Sequence, residues 1–271
     1  MKKRLITEFY ASDVSREWKR LAKDPFHRLE YETTIIFLNK YLPKKGLILD
    51  AGGGPGRYTI LLAKKGYNMV LLDLTKENLE FAKSMIKKNK VEDKVKSVIK
   101  GNIMDLSRFK SNTFDAVICV GAPVSHIKGD SKRRKAVSEL VRVAKRGAPI
   151  FIGVLGRMGA LLQSVQYWPD EINHPNFKNY VDLGEDYLWH DKYYAHYFLP
   201  EELQEFLRKS SIKVIQTVGL EGIGMNKKYL NLLAKKDKKA YDIFIKAHRK
   251  LATHPAAVGM SIHILAVCKK P

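Results

Sequence analysis

The sequence predicts an α/β fold, a doubly wound sheet with its strands mainly parallel, and three observations carry the prediction. From Leu47 onward five short apolar runs alternate with helical patterns; the first run ends in a glycine-rich turn; and 271 residues suit one domain with additions. The strand-like runs are "LILDA" (47–51), "NMVLLD" (68–73), "VKSVIKG" (95–101), "FDAVICV" (114–120) and "APIFIGVL" (148–155). They are rich in Val and Ile and bounded by Gly, Asn, Asp or Pro.

The intervening helices are read at 58–65, at 75–90 with Thr75 as N-cap, and at 131–147 ending at Gly147. Before the sheet, "SREWKRLAKD" and "FHRLEYETTIIFLNKYL" predict two helices that cap it. After it, "LPEELQEFLRKS" (199–210) predicts a helix opened by Pro200, and "IKVIQTVGL" a sixth strand. Residues 227–252 place Leu230, Leu233, Ala240, Phe244, Ala247 and Leu251 on one stripe among lysines, which predicts a basic amphipathic helix. "MSIHILAVCKK" closes the chain as a seventh strand. The whole is read as a single domain: a cap (1–45), a cofactor-binding core (46–156), an insert (157–198) and the C-terminal part of the sheet (199–271).

The insert differs in composition from its surroundings. Residues 157–197 hold nine of the 27 aromatic side chains and three of the eight histidines, and residues 151–200 are the one stretch with net negative charge. Such a segment predicts an aromatic lid with a small core of its own.

Charge narrows the partner. Lys and Arg number 49 against 28 acids, a net +21 spread over every part of the chain outside 151–200. A basic body of this kind points to a polyanion, with RNA first. The two cysteines sit inside apolar runs, so neither a disulfide framework nor a metal site is expected. The N-terminus does not read as a signal peptide and no 18-residue apolar run occurs, so a soluble cytoplasmic protein without membrane association is expected.

In "LILDAGGGPGRYTI" a strand ending in Asp50 turns through Gly52, Gly53, Gly54 and Gly56 into a helix, which lets backbone approach a ligand where a Cβ would collide. The dinucleotide pattern G-x-G-x-x-G fails in both frames, because Arg57 or Thr59 stands where its last glycine belongs. The spacing that fits is Gly52-x-Gly54-x-Gly56.

With "VLLDLTKENLEFAK" downstream, this turn resembles the first two motifs of the class I S-adenosylmethionine-dependent methyltransferases, in a branch similar to methyltransferase type 11. "FDAVICVGAPVSHI" resembles their fourth motif, and the C-terminal segments look like the family's tail. The resemblance implies a Rossmann-like sheet of seven strands with the last antiparallel, and S-adenosyl-L-methionine as cofactor. It implies that Asp50, Ala51 and the four glycines hold the methionine end, with Asp50 facing its amino group. Asp73 and Leu74 would hold the ribose, Asn102 and Ile103 the adenine, and Val120 and Gly121 the region near the methyl group. Asn102 stands where the family usually has an acid, and is expected to accept from the adenine amine through its carbonyl; Asp105 is read as a helix cap.

The loop after the fourth strand would face the acceptor, which puts Ala122, Pro123 and His126 there. "GAPVSH" departs from the pattern of base-amine methyltransferases, and Cys119 lies within the strand, away from a nucleophile's position. His126, with a pKa suited to neutral pH, is the expected base if one is used; a helix-capping role is the alternative. Trp189, His190 and His196 are expected to line the acceptor pocket, with Tyr10 and Arg28 of the cap covering the pocket mouth and the cofactor carboxylate. The leading expectation is a methyltransferase acting on structured ribosomal or transfer RNA. The alternatives are a small-molecule N- or O-methyltransferase and a non-catalytic nucleotide-binding module.

Overall fold

The structure is a computed structural model that describes residues 6–187 and 193–271. Three N-terminal helices, α1 (Ile6–Ala11), α2 (Val14–Arg20) and α3 (Pro25–Tyr41), precede the sheet. The strands β1 (Leu47–Ala51), β2 (Asn68–Asp73), β3 (Val95–Lys100), β4 (Ala116–Cys119) and β5 (Pro149–Gly156) run parallel in the order β3-β2-β1-β4-β5. Helices α4 (Arg57–Lys64), α5 (Lys76–Lys88) and α6 (Asp130–Val143) connect them.

Beyond β5 the sheet is completed by β9 (His263–Lys269), antiparallel to β5 and to β8 (Lys213–Gly219). These seven strands, with the last one antiparallel, are the sheet the sequence led us to expect. Alternation along each strand feeds two cores. Leu49 and Ala51 face α6 and α9 (Pro200–Lys209), whereas Ile48 faces the side packed by Phe37, Leu38, Tyr58 and Ile86 of α3, α4 and α5.

The insert contributes α7 (Arg157–Tyr167), α8 (Phe177–Leu183) and a hairpin of β6 (Glu185–Tyr187) and β7 (Tyr193–Phe198), two strands beyond the expected seven. β4 stops pairing with β5 at Ile152, and β7 joins β5 at Leu155 and Gly156 in parallel. This brings Tyr194 beside the loop that follows β4. Ala160, Tyr180, Ala195 and Tyr197 pack with Ala122 of that loop in a small separate core.

Three local expectations are corrected. The helix expected to reach Gly147 ends at Val143, because Ala144 is extended and bridges to Phe114, while the N–H groups of Thr113 and Phe114 donate to the Val143 carbonyl. The single basic helix over 227–252 is two, α10 (Lys227–Lys236) and α11 (Lys238–Leu251), since Asp237 leaves the helical conformation and caps the second through the Ala240 N–H at 2.9 Å. Its buried stripe shifts with the break: Ile245 and His248 turn inward and Leu251 is exposed. Thr75 does precede α5, but its side chain makes no capping bond. A short α12 (Pro255–Met260) leads into β9.

Candidate active site

The glycine loop sits where β1 passes into α4. The N–H groups of Gly52 and Gly53 both donate to the Leu72 carbonyl, at 2.7 and 3.2 Å, which ties the loop to β2. A Cβ on Gly52 would stand 2.6 Å from Pro123 Cγ, and one on Gly53 would stand 2.5 Å from Asp50 Cγ. Gly54, with φ +54°, has open space where a side chain would be, so its need is conformational. The loop therefore presents bare backbone to a cavity of about 360 Å³, within the size range of small-molecule sites.

Asp73 ends β2 on the wall of this cavity and is 7% exposed. Its carboxylate accepts from the Gly54 N–H (2.8 Å), the Thr75 N–H (2.8 Å) and Asn78 Nδ2 (3.3 Å). Burial raises its pKa against these bonds. Leu74, Asn102, Ile103, Val120 and Gly121 share the wall. Asn102 differs in detail: its side-chain carbonyl already accepts the Met104 N–H at 2.9 Å, so the amide N–H₂ and one lone pair remain for a ligand. Asp105 is exposed and takes the Ser107 N–H at 3.1 Å, a local turn contact.

His126 follows β4 and lines the far end of the cavity with Pro123 and Tyr10. Its Nδ1 lies 3.2 Å from the Tyr194 carbonyl, which fixes the proton on Nδ1, and its Nε2 lies 3.4 Å from the Tyr10 hydroxyl. Burial drives its pKa down to about 4, against the bond to Tyr194. The expected base of near-neutral pKa is thus a neutral imidazole, an acceptor of hydrogen bonds and a poor store for a proton.

Several expected residues are elsewhere. Asp50 is fully buried behind Gly53, with Thr59 Oγ1 donating to its Oδ2 at 2.6 Å; burial and the nearby Asp73 charge lift its pKa to about 7 although Thr59 opposes this. It supports the loop from behind and does not line the cavity. Ala51 and Gly56 are likewise behind the wall, and Ala122 turns its methyl into the core of the insert. Arg28 is exposed on α3, on the side of Tyr241 and away from the cavity wall. His196 is buried between carboxylates, with Nε2 2.7 Å from Glu202 and Nδ1 3.6 Å from Glu185, so it braces the insert and stays off the cavity wall. Trp189 and His190 lie outside the described residues.

The cap supplies residues the sequence reading missed. Arg20, Glu17 and Glu30 line the cavity, and Arg20 pairs with both carboxylates. Burial works to raise the Glu30 pKa, yet Arg20 and His263 bring it to about 2. Glu30, Glu221 and His263 stand close enough to share a cation, but Arg20 and the 2.6 Å contact between His263 and Glu221 already balance them. Arg57 also lines the cavity, its guanidinium 4.4 Å from the Trp18 ring and hydrogen-bonded to the Trp18 carbonyl. The only sequence signal for it was that it broke a dinucleotide frame. Among the described residues no helix is long and apolar enough to cross a membrane.

These features fit S-adenosylmethionine: bare backbone for a methionine moiety, a buried carboxylate for vicinal hydroxyls, and an amide beside an apolar slot for a base. The comparisons agree. Residues 48–147 match the family described as "Methyltransferase domain". The chain is 28% identical over 145 residues to a glycine/sarcosine N-methyltransferase of Parasynechococcus marenigrum, covering 53% of this chain and 49% of that one. It is 29% identical over 175 residues to norajmaline N-methyltransferase of Rauvolfia serpentina, covering 56% and 58%. The chain thus spans roughly half the length of these relatives. In fold it resembles a methyltransferase of Thermotoga maritima, described as a possible histamine N-methyltransferase, with TM-score 0.58 and 17% identity over 98% of this chain and 100% of that one. By its sheet, its glycine loop and the match over residues 48–147, the chain carries a methyltransferase domain with the Rossmann-like fold of the class I S-adenosylmethionine-dependent methyltransferases, the family that its motifs resemble.

Proposed function

We propose that the chain transfers a methyl group to a small molecule, at an amine nitrogen, held between Tyr10, Pro123 and His126. One observation carries the reading: a single cavity runs from Asn102 and Asp73 past the glycine loop to His126, so cofactor and acceptor sites adjoin. Support for a small acceptor comes from the relatives, whose names refer to glycine, sarcosine and norajmaline. The names offer nothing for structured RNA, which becomes the weaker reading despite the basic charge.

When bound, S-adenosylmethionine supplies a methyl group activated by its sulfonium. Asp73 would accept from the ribose hydroxyls, Asn102 and Ile103 would hold the adenine, and Gly52 to Gly54 would let the methionine moiety lie against backbone. Arg20 and Arg57, in place of Arg28, are the arginines of the cavity wall that could face a cofactor carboxylate. Methyl transfer is an in-line displacement, so alignment and exclusion of water supply most of the rate. His126 Nε2, neutral at pH 7, accepts from the Tyr10 hydroxyl and so aims that hydroxyl's oxygen, which would accept an N–H of the acceptor and turn the nitrogen lone pair toward the methyl group. Its lowered pKa suits this orienting part. The cap closes one side of the site through Tyr10, whereas no described residue of the insert lines the cavity: in place of the expected lid, the insert steadies His126 from behind through the Tyr194 carbonyl.

Incubation with methyl-labelled cofactor and cell extract, followed by separation into RNA, protein and low-mass fractions, tests the reading. Label in a low-mass amine is expected. Label in RNA would restore the polyanion reading, and absence of turnover with every fraction would make the chain a non-catalytic binding module.

A further inference from the structure

Helices α10 and α11 concentrate charge: residues 227–252 hold nine Lys or Arg against two Asp. Their inner sides are anchored by Leu230 and Ile245, which pack with Phe26, Leu29 and Met225. The outer sides leave large apolar groups in solvent, Tyr229 at 61% and Ile243 at 59% exposure, with Leu232 also exposed. At 100° per residue, Tyr229 and Leu232 lie among Lys228, Lys235 and Lys236 on α10, and Ile243 lies among Lys239, Lys246 and Lys250 on α11. Among the described residues none of these six lysines has a carboxylate partner, whereas Lys238 pairs with Asp242 and Arg249 with Glu32.

Unpaired lysines around exposed apolar side chains have no internal purpose: the charges repel one another and the apolar groups cover nothing. A nucleic-acid backbone would satisfy the lysines and leave Ile243 and Leu232 without a gain. An anionic bilayer satisfies both, because lipid phosphates meet the rim while the apolar centre enters the headgroup boundary.

We propose that the outer face of α10 and α11 docks on an anionic phospholipid surface. The test is flotation of the full chain with vesicles of mixed phosphatidylglycerol and phosphatidylcholine, of phosphatidylcholine alone, and with a single-stranded RNA homopolymer as a parallel ligand. The chain is expected to float with the anionic vesicles only. Lys228→Glu with Lys246→Glu should abolish flotation. Tyr229→Ser with Ile243→Ser, which keeps every charge, should weaken it by about tenfold, since two apolar side chains no longer insert. Unchanged melting temperature and unchanged S-adenosylhomocysteine affinity show that these exposed substitutions leave the fold intact. Equal binding to neutral vesicles or none to anionic ones overturns the proposal. So does RNA binding stronger than vesicle binding and indifferent to the serine substitutions, which would assign the face to nucleic acid.

Discussion

The Tyr10 hydroxyl lies 3.4 Å from His126 Nε2, joining the first helix to the loop after β4. The opposite nitrogen of the same ring lies 3.2 Å from the Tyr194 carbonyl of the insert. One imidazole is therefore held from both sides, by the cap that lines the cavity and by the insert behind it. Tyr10→Phe removes the hydroxyl and keeps the ring, and should lower kcat/KM roughly 2- to 10-fold, the scale of one hydrogen bond. His126→Asn should cost about 10- to 100-fold, through lost alignment. S-adenosylhomocysteine affinity, read by calorimetry, should stay within about twofold for both, because neither residue is assigned to the cofactor. An equal loss of that affinity would place His126 on the cofactor and remove it from the acceptor.

Asp73 is held by three donors, so its carboxylate is aimed before a ligand arrives. Asp73→Asn puts an amide donor against the Gly54 or Thr75 N–H and disturbs the loop as well as the ribose contact. Hydrogen bonds to a charged acceptor are worth about 1.5–3 kcal/mol, which corresponds to a loss of ~10- to 100-fold in S-adenosylhomocysteine affinity. Calorimetric titration reads it directly. An affinity unchanged in this variant would remove Asp73 from the site.

Asp50 carries a pH prediction. Its native pKa is raised from 3.8 to about 7, and Oδ1 is buried with no partner among the described residues. Between these values the native state holds a proton that the unfolded chain has released. Wild-type stability therefore falls as pH rises from about 4 through 7, with the full cost present above 7. Asp50→Asn keeps the bond from Thr59 and carries no charge. Its melting temperature should match wild type at or below about pH 4, exceed it progressively between pH 4 and 7, and exceed it at pH 8 by the equivalent of ~2–4 kcal/mol. A pH-independent difference would mean that Asp50 is ionised throughout.

Arg57 fastens the cap to the glycine loop: its guanidinium lies over Trp18, near Tyr31 at 5.6 Å, and donates to the Trp18 carbonyl. Arg57→Lys keeps the charge and loses the planar stack, at a cost of about 1 kcal/mol. The loss should appear as faster amide exchange in 14–20 and faster dissociation of S-adenosylhomocysteine, with exchange in β1 and β2 unaffected. Uniformly faster exchange would instead make Arg57 a residue of global stability.

The legible parts of this molecule are local. Strand alternation around Ile48 and Leu49, the glycine spacing, and Asp73 at the end of β2 are all written within short segments, and they lead to one wall of the cavity. What escaped depends on phase or on distant contacts. Glu30 faces inward on α3, which puts Arg28, two residues earlier, on the outer side and leaves Arg20 of α2 to reach the cavity. His196 could not be assigned by alternation because residues 194–198 of β7 are buried on both faces. Asp237 carried a capping signal that the surrounding apolar period concealed. No local pattern could announce that Tyr10 and His126 meet.

The contact between Gly52 and Pro123 is the point at which the cofactor loop and the acceptor loop become one structure. Gly52 has φ +76°, and a Cβ there would stand 2.6 Å from Pro123 Cγ and 2.9 Å from its Cβ. Gly52→Ala thus meets two costs, a left-handed backbone for a residue with a side chain and a collision with a ring that cannot swing aside. Moving Pro123 displaces the 3₁₀ turn Pro123–His126, and with it the imidazole held by Tyr10 and Tyr194. The variant should lose ~1–3 kcal/mol of stability and at least tenfold in S-adenosylhomocysteine affinity. Pro123→Ala relieves the collision alone, so combining it with Gly52→Ala should recover part of the loss, leaving the cost of the backbone. A double-mutant cycle in melting temperature and affinity measures that coupling, and additive effects would show that the two loops move independently.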